Sequence, residues 1–546
     1  MVLENTPPSN AETMLCSTCQ GIFTRSQYPL VADTIDDYTD EKIAHHPNQE
    51  SFRQAVVDGC YICTAVNADE PYILSDKEAA RLDMSPENNW GSIFCMDYGH
   101  NNDTGGFHVA YKLLVCIEYY LEETLKVARK YSRFFLILAD GRMSDFHVPT
   151  NDSLVQIRKW MTTCCEQHQR GCVKSRNYQW SRPSRLIDVG PPGQHFITLE
   201  LDERITELNA PYITMSHRWL TPQPPVLKRD NIESMRRDGI SLLALPQSFQ
   251  DAVSITRHMG IRYLWIDSFC ILQDSEEDFH TEAEHMGHIY AGGVFNIVAS
   301  DSDTWKTGLF PSRINKDLVP IVYPSWVEMD GYQALAIRKY SSDASDSPPS
   351  KSLAFGRGWI HQEIHLAPSN LFCTKNQFWW TCLEGSYCEA YSSDLNAIFP
   401  DLDATLNQLG FIRTLIVPGT EPPSRFRYQS VWLPQGEDQS IAARRFMYMW
   451  LKLVEKYSGA TTKPDDKLVA IGGIVELCRK WMRQTQPSLE IGYYSGVWQL
   501  DLLEQLDWSI DRKYGEQIFH HRWKGTYTIP TWSWASVNGS AFWRCL

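Results

Sequence analysis

The pattern of apolar positions in the middle of the chain alternates between short continuous runs and helical spacing. Residues 212–215 and 263–266 are short apolar runs, as expected of parallel strands buried on both faces. Between them, residues 246–259 place their apolar side chains on one helical face, and Gly260 follows as a stop signal. A further apolar run covers residues 294–299. This alternation predicts an α/β layer with a parallel sheet.

Helix signals extend this prediction to other parts of the chain. Ser275 with Asp278 three residues later resembles a capping box, and it predicts a second helix of the α/β layer that runs to about Tyr290. Helical patterns also cover residues 154–168, 440–457 and 466–482. The sequence therefore predicts an α/β core with α+β regions before and after it.

Length and charge bound the number of domains and the kinds of partner. The 546 residues suffice for two or three structural units. Lys and Arg total 51 against 66 Asp and Glu, a net charge of −15 that repels phosphate backbones, so we expect no nucleic-acid partner. No apolar run approaches the roughly 20 residues of a membrane span, and no signal peptide is evident. We therefore expect a cytoplasmic protein.

Fifteen cysteines in a cytoplasmic chain favour reduced thiols, some of which hold a metal. Near the N-terminus, two Cys-x-x-Cys pairs are separated by 40 residues, with two histidines between them. A two-residue gap lets two thiolates converge on one tetrahedral zinc ion. The alternative is a set of reduced thiols without a metal. The zinc ligands that this spacing predicts are Cys16, Cys19, Cys60 and Cys63.

A second group, Cys164, His168 and Cys172, has helical spacing. On a helix Cys164 and His168 share a face and could grip a metal. Only three ligands are visible in the sequence, so a packing role is the more natural interpretation.

Several separate blocks resemble one known family. They are a Leu-Pro pair before a helix (245–246), RYLWID (262–267), CILQD (270–274), GLF (308–310), RGWIHQE (357–363) and PTWSWAS (530–536). In this order they resemble the HET domain, named for fungal heterokaryon incompatibility, over residues 211–363. The family's first strand usually ends Ser-Tyr-Cys-Trp-Gly, whereas residues 216–220 read Ser-His-Arg-Trp-Leu.

The resemblance implies the fold class and the domain organisation. HET domains look distantly similar to TIR domains, which implies a TIR-like or flavodoxin-like parallel sheet. We expect a Cys/His-rich zinc module at 1–70, an α+β region and linker at 71–200, the HET domain at 201–365 and a C-terminal α+β extension at 366–546.

Glu282 is the first candidate for a catalytic residue. On a helical wheel it lies at the edge of an apolar stripe, where partial burial raises the proton affinity of a carboxylate. Some TIR domains cleave NAD with a Glu on a helix, so the resemblance implies that Glu282 could serve NAD cleavage. Alternatively, Glu282 pairs with Arg218 or Arg262 and only positions its helix.

Other candidates lie where the strands end. Ser216 and Asp267 follow predicted strands, and ligands bind at the carboxyl ends of strands in open α/β sheets. Two roles are open for Asp267: it could contact a ligand, or it could cap the turn that follows. Arg218 and Trp219 follow the first strand and are candidate ligand contacts. Arg357 either binds a phosphate or joins a buried ionic network with Gln362 and Glu363.

Three functions are consistent with these features. The first is a HET-domain protein of fungal non-self recognition and cell death that cleaves NAD as its substrate. The second is a non-catalytic interaction module that signals by forming a homo-oligomer with itself or by binding a partner incompatibility protein. The third is a HET-like enzyme that acts on a small-molecule ligand in fungal secondary-metabolite biosynthesis.

Overall fold

The structure is a computed structural model. It describes residues 15–19, 43–46, 49–68, 72–73, 90–98, 110–121, 126–139, 153–169, 171–201, 210–220, 223–310, 321–324, 334–340, 349, 352–375, 377–389, 439–460, 466–485, 492–510, 529–537 and 539–543.

The strands in chain order are β1 (Ile43–His46), β2 (Tyr72–Ile73), β3 (Trp90–Tyr98), β4 (Ala110–Leu121), β5 (Lys126–Ala139), β6 (Arg185–Asp188), β7 (Phe196–Leu201), β8 (Tyr212–Ser216), β9 (Ile240–Ser241), β10 (Tyr263–Ile266), β11 (Asn296–Ala299), β12 (Ile321–Pro324), β13 (Ala334–Tyr340), β14 (Ser369–Cys373), β15 (Phe378–Cys382), β16 (Ser386–Cys388), β17 (Tyr493–Tyr494), β18 (Val497–Trp498), β19 (Trp508–Ile510) and β20 (Ala541–Trp543).

The α-helices are α1 (Gln49–Val57), α2 (Tyr61–Ala68), α3 (Ser153–Glu166), α4 (Cys172–Arg176), α5 (Ile232–Arg237), α6 (Gln247–His258), α7 (Asp267–Cys270), α8 (Glu276–Gly292), α9 (Gly358–Leu366), α10 (Gln439–Ser458), α11 (Gly472–Thr485) and α12 (Leu502–Leu506). Short 3-10 helices cover Leu242–Ala244, Leu353–Gly356 and Trp534–Ser536.

The chain forms two compact units. The first comprises Met1–Thr150, Ile314–Ser347 and Ala390–Phe399. Its sheet has seven strands in the order β1-β3-β4-β5-β13-β12, with β2 also paired to β5, and every pairing is antiparallel. Helices α1 and α2 belong to the same unit.

The second unit comprises Asn151–Arg313, Pro348–Glu389 and Pro400–Leu546. It contains a nine-stranded mixed sheet in the order β16-β15-β14-β11-β8-β10-β6-β7-β9. The four central neighbours β14, β11, β8 and β10 are parallel, and the outer pairings are antiparallel. The predicted α/β core is therefore confirmed.

The residues of the parallel strands explain their central position. All residues of β8, β11 and β14 are buried, as expected for strands with a layer on each face. Helix α6 connects β8 to β10, α8 connects β10 to β11, and α9 lies between β11 and β14. In chain order the parallel strands are arranged 2-1-3-4, the order with which flavodoxin-like sheets begin. Ligands bind at the carboxyl ends of such strands.

The C-terminal segments complete the core of the second unit. Helices α10 and α11 pack beside α9, and the Gly473 amide donates a hydrogen bond to Gln362 Oε1 at 2.7 Å. Trp534, from the PTWSWAS block, is buried, and its Nε1 donates to Gly496 O at 2.7 Å. This block therefore has a packing role. No helix among the described residues is both long enough and apolar enough to cross a membrane.

Ser275 begins helix α8 as the capping pattern predicted. Its Oγ accepts a hydrogen bond from the Asp278 amide at 3.3 Å and another from Arg229 Nη2 at 2.9 Å. Ser275→Ala should lower the free energy of unfolding of the second unit by about 1 kcal/mol or somewhat more, because a helix-end amide loses its acceptor. Urea denaturation followed by tryptophan fluorescence measures this loss.

Thr281→Ala is the matched control, since Thr281 lies on the exposed side of the same helix. Its effect should stay within about 0.5 kcal/mol. Ser275→Asp should retain most of the stability, because a carboxylate also caps a helix. Equal losses for the Ser275 and Thr281 variants would show that the cap contributes nothing.

Candidate functional site at the carboxyl ends of the parallel strands

Four polar residues meet where the central strands end. His217 follows the last residue of β8, and Asp267 follows the last residue of β10. Arg357 immediately precedes α9, and Glu363 lies within that helix. We call His217, Asp267, Arg357 and Glu363 the ionic cluster. The fold brings them together because β8 and β10 are parallel neighbours and α9 leads from β11 back to the same sheet.

Asp267 is the acceptor at the centre of the cluster. Its Oδ1 accepts hydrogen bonds from His217 Nε2 at 2.8 Å and from the Ser268 amide at 2.7 Å. Burial alone would raise the pKa of the carboxyl, but His217 and Arg357 outweigh it and hold the pKa below its usual range. The group is therefore a carboxylate at neutral pH. It fixes the His217 ring, whose Nδ1 faces Arg218 O at 2.9 Å.

Arg357 links the two strand ends to α9. Its Nη2 donates to Asp267 Oδ2 at 3.0 Å and its Nη1 to His217 O at 2.5 Å. The same Nη1 lies 3.7 Å from Glu363 Oε1, which is an ion pair without a hydrogen bond. One guanidinium thus serves two carboxylates and one carbonyl. Of the buried ionic network that the sequence offered as one role for Arg357, the contact with Glu363 is present, whereas Gln362 accepts a hydrogen bond from the Gly473 amide.

Glu363 is the member of the cluster whose polar atoms are least satisfied. Its side chain is 0% exposed, and neither carboxylate oxygen makes a well-formed hydrogen bond among the described residues, although the Ser216 hydroxyl lies close enough to lower the pKa of the carboxyl. Burial raises the pKa of the Glu363 carboxyl, and Arg357 only partly opposes that effect. An ionisable group left in this state costs stability, and such groups are concentrated at functional sites.

Buried polar side chains surround Glu363. Ser216 at the end of β8 presents its hydroxyl to this carboxyl, which lowers the pKa of Glu363, and its Oγ accepts from Asn296 Nδ2 at 2.9 Å. Tyr290 of α8 is buried, and its hydroxyl lies 3.4 Å from Met215 O. Burial raises the pKa of Tyr290, and the carboxylates of Glu363 and Asp267 add to this, so the phenol is neutral. Its hydroxyl can donate a proton to a hydrogen bond.

Residues 212–363 match the family model described as heterokaryon incompatibility protein (HET). The chain contains a HET domain. The match begins at the first residue of β8 and ends at Glu363, so the whole ionic cluster lies within it. No curated protein and no solved structure matches the chain significantly.

Glu282 of the HET domain lies in a different set of contacts. It is buried on α8, where Ser184 Oγ donates a hydrogen bond to its Oε1 and Arg185 Nη2 lies 3.4 Å from the same oxygen. Burial raises the pKa of the carboxyl, while Ser184 and Arg185 lower it. The sequence offered ion pairing as one role for Glu282 but named other arginines. Arg262 pairs instead with Asp188, at 2.6 Å.

The other predicted site residues lie near the cluster. Trp219 is 39% exposed, and its ring centroid is 6.2 Å from that of His217. Arg218 is half-buried between them in the chain. Cys270 of the CILQD block, which was not a predicted site residue, is buried, and burial raises the pKa of its thiol to about 12.

Sequence reasoning gave no catalytic role to His217 or Glu363. Their positions contained a usable signal. His217 directly follows a strand end, and Glu363 is a carboxylate in a helix whose nine residues are all buried.

Two groups of Cys and His side chains could hold a metal. In the first unit, the ligand atoms of Cys16, Cys19, His46 and Cys63 all lie within 4.8 Å of one another. Cys63 Sγ is 3.9 Å from Cys16 Sγ, 3.7 Å from Cys19 Sγ and 3.2 Å from His46 Nε2. Cys60 is buried, and its thiol interacts with the other cysteines. The group with these mutual distances thus contains His46 in the place of Cys60, the fourth ligand that the spacing predicted.

The second group lies in the second unit and outside the family match. It comprises Cys164, His168, Cys172 and Cys382, again with all ligand atoms within 4.8 Å of one another. Cys382 is the fourth residue that the sequence pattern lacked.

The ionic cluster predicts a large effect of Asp267→Asn on stability. This change leaves the buried Arg357 charge without its hydrogen-bonded carboxylate, and we expect a loss of about 3–5 kcal/mol at pH 7. The folded-state pKa of Asp267 is depressed, so its contribution is fully present above about pH 4 and is lost as the pH falls further. The difference between wild type and variant should therefore narrow below that pH. Urea denaturation at several pH values measures it.

Asp188→Asn is the matched control. Asp188 is also buried and ion-paired, but the side chain of its partner Arg262 is 68% exposed and stays hydrated when the pair is lost. A loss for Asp188→Asn equal to that for Asp267→Asn would contradict a central role for the ionic cluster.

Proposed function

We propose that this HET-domain protein acts in fungal non-self recognition and cell death by hydrolysing NAD at the ionic cluster. The observation that carries the proposal is the state of Glu363. A buried carboxylate that makes no well-formed hydrogen bond and has only one guanidinium, at 3.7 Å, as its ion-pair partner among the described residues is suited to stabilise positive charge that develops on a substrate. We therefore assign the role of key carboxylate to Glu363 and a helix-positioning role to Glu282.

The proposed reaction breaks the bond between the nicotinamide nitrogen and C1 of the ribose. The bonding electron pair leaves with nicotinamide, and C1 passes through an oxocarbenium-like state. Water then adds to C1 and releases a proton, so the products are nicotinamide and ADP-ribose. Glu363 would stabilise the cationic ribose, and Tyr290 and Ser216 offer hydroxyl groups beside it.

The surroundings of Glu363 suggest how the substrate is held. Trp219 presents an exposed ring on which a nicotinamide or adenine base can stack. Arg218 is adjacent and supplies a positive charge for the diphosphate. The Arg357 side chain is 20% exposed, the largest value in the ionic cluster, so the substrate would reach Glu363 by displacing this guanidinium. Asp267 would act as a positioning residue that holds His217, and that holds Arg357 until the substrate displaces it.

Nicotinamide release from NAD tests the assignment. We expect wild-type protein to release nicotinamide and Glu363→Gln to lower the rate at least about 100-fold, as loss of an electrostatic catalyst does. Glu282→Gln is the matched control, a buried carboxylate on the neighbouring helix, and it should retain most of the rate when folded. The assay is chromatography of the products at high protein concentration.

The stability of the Glu363 variant separates lost chemistry from a lost fold. Since Glu363 has a raised pKa, its ionisation destabilises the folded state as the pH rises above the usual glutamate range. Glu363→Gln should therefore be more stable than wild type by on the order of 1 kcal/mol at pH 8, and by less at pH 5. Wild-type protein without activity would refute NAD hydrolysis. Loss of activity in Glu282→Gln alone would move the site to Glu282.

A non-catalytic interaction module is the second candidate. The complete burial of Glu363 favours it, because a buried network can simply fix the position of α9. In that case Glu363→Gln would alter neither partner binding nor the homo-oligomeric state, and no nicotinamide would form at any concentration.

We also propose that the first unit holds a structural zinc ion on Cys16, Cys19, His46 and Cys63. Tetrahedral coordination with Zn–S bonds of about 2.3 Å places two sulfurs about 3.8 Å apart. The sulfur separations of 3.7 and 3.9 Å agree with this value. His46 Nδ1 lies 2.9 Å from Ser51 Oγ, the kind of outer contact that orients a histidine ligand.

Zinc content of the purified full-length chain tests this site. Cys63→Ser should lower the content by about one equivalent, because zinc needs all four ligands of a closed structural site. Cys478→Ser removes a buried thiol that belongs to neither Cys/His group and should leave the content unchanged. Cys60→Ser decides between Cys60 and His46 as the fourth ligand, and loss of zinc in that variant would replace His46 by Cys60.

A further inference from the structure

We propose that Cys164, His168, Cys172 and Cys382 bind one structural zinc ion in the second unit, with Arg176 as its charge partner. Cys164 lies near the end of α3, and His168 lies in the turn that follows. Cys172 begins α4, and Cys382 ends β15. His168 and Cys382 are 214 residues apart in sequence, so folding alone brings the set together.

The distances between the side chains fit a single tetrahedral ion. With Zn–S bonds of about 2.3 Å and Zn–N bonds of about 2.0 Å, a sulfur and a nitrogen ligand lie about 3.5 Å apart. His168 Nδ1 is 3.4 Å from Cys382 Sγ and 3.7 Å from Cys172 Sγ. A disulfide would need two sulfurs at about 2.05 Å, and none of these cysteines forms one. All four ligand atoms lie within 4.8 Å of one another, a spacing that suits one metal ion.

The charge of Arg176 also favours a metal at this site. Zinc with three thiolates and one neutral histidine carries a net charge of −1. Arg176 Nη2 donates to Cys164 Sγ at 3.3 Å, and the described contacts of this arginine include no carboxylate. A largely enclosed guanidinium needs an anion. A zinc–thiolate centre supplies that anion, whereas three neutral thiols do not.

The surrounding hydrogen bonds hold the ligands in place before a metal binds. Glu384 Oε1 accepts from the amides of Gly171 at 2.7 Å and Cys172 at 3.0 Å, which joins the β15–β16 turn to the start of α4. His168 Nε2 lies 3.4 Å from the Tyr387 hydroxyl, so its Nδ1 is the nitrogen that faces the cysteines. These outer contacts are typical of metal sites. Four protein ligands leave no open position, which indicates a structural role.

The position of the site indicates what the zinc stabilises. Arg176 also donates hydrogen bonds to Val294 O, just before β11, and to Ser369 Oγ at 3.1 Å, the first residue of β14. The zinc would therefore tie α3 and α4 to the amino ends of the parallel strands. The ionic cluster lies at the carboxyl ends of the same sheet. This inference does not depend on the proposed hydrolysis of NAD.

The test uses full-length protein in which Cys16→Ser and Cys19→Ser silence the site in the first unit. We expect this background to retain about one zinc ion per chain, measured by plasma mass spectrometry after dialysis. X-ray absorption at the zinc edge should show three sulfurs at about 2.3 Å and one nitrogen at about 2.0 Å. Adding Cys382→Ser should remove the zinc. Adding Cys373→Ser, a buried thiol on the adjacent strand β14, should not.

A conservative variant keeps the test decisive if Cys382→Ser does not fold. His168→Cys, in the same background, should retain the zinc and change its environment to four sulfurs, since zinc sites with four cysteine ligands are common. A background protein without zinc, or a zinc content that Cys382→Ser leaves unchanged in folded protein, would overturn the proposal. So would an absorption spectrum in His168→Cys that still shows a nitrogen ligand.

Discussion

Arg357 is the side chain on which the HET domain's polar centre depends. It hydrogen-bonds to Asp267 at the end of β10 and to the carbonyl of His217 after β8, and it lies 3.7 Å from Glu363 in α9. Three elements that are distant in sequence are thus joined by one buried positive charge. A buried ion network of this kind rarely adds much net stability compared with an apolar core, but removing one partner is costly. It therefore fixes geometry more than it stabilises the fold.

The two carboxyl groups of the ionic cluster differ in their hydrogen bonds and in the direction of their pKa shifts. Asp267 receives hydrogen bonds on both oxygens, and the pKa of its carboxyl is held down by His217 and Arg357 against the effect of burial. Glu363 receives no well-formed hydrogen bond from the described residues, and burial raises the pKa of its carboxyl more than Arg357 and Ser216 lower it. Two carboxyl groups that share one arginine thus have pKa values shifted in opposite directions, the pattern by which environments assign different roles to chemically similar groups. Burial also raises the pKa of Glu282, but this carboxylate accepts a hydrogen bond from Ser184 and lies 3.4 Å from Arg185.

Much of the fold could be predicted because its signals are local. Strands buried on both faces read as short apolar runs, and a serine followed by an acidic turn marked the start of α8. Ser216 and Asp267 could be named because parallel strands end at the same edge of a sheet. His217 meets Asp267 for the same reason, because each directly follows one of two neighbouring parallel strands. The surroundings of Glu363 could not be predicted, because they depend on how α9 packs on the sheet, which no spacing encodes. The same holds for Cys382 and His46, which join their cysteines only after folding.

The most direct test of the ionic cluster as the NAD site is hydrogen–deuterium exchange by mass spectrometry on Glu363→Gln protein, which should bind NAD without consuming it. If NAD binds there, it should slow exchange in peptides covering residues 215–220 and 357–363 and leave peptides covering 153–169 unchanged. Unchanged exchange around the cluster at saturating NAD, or protection confined to another part of the chain, would contradict the account.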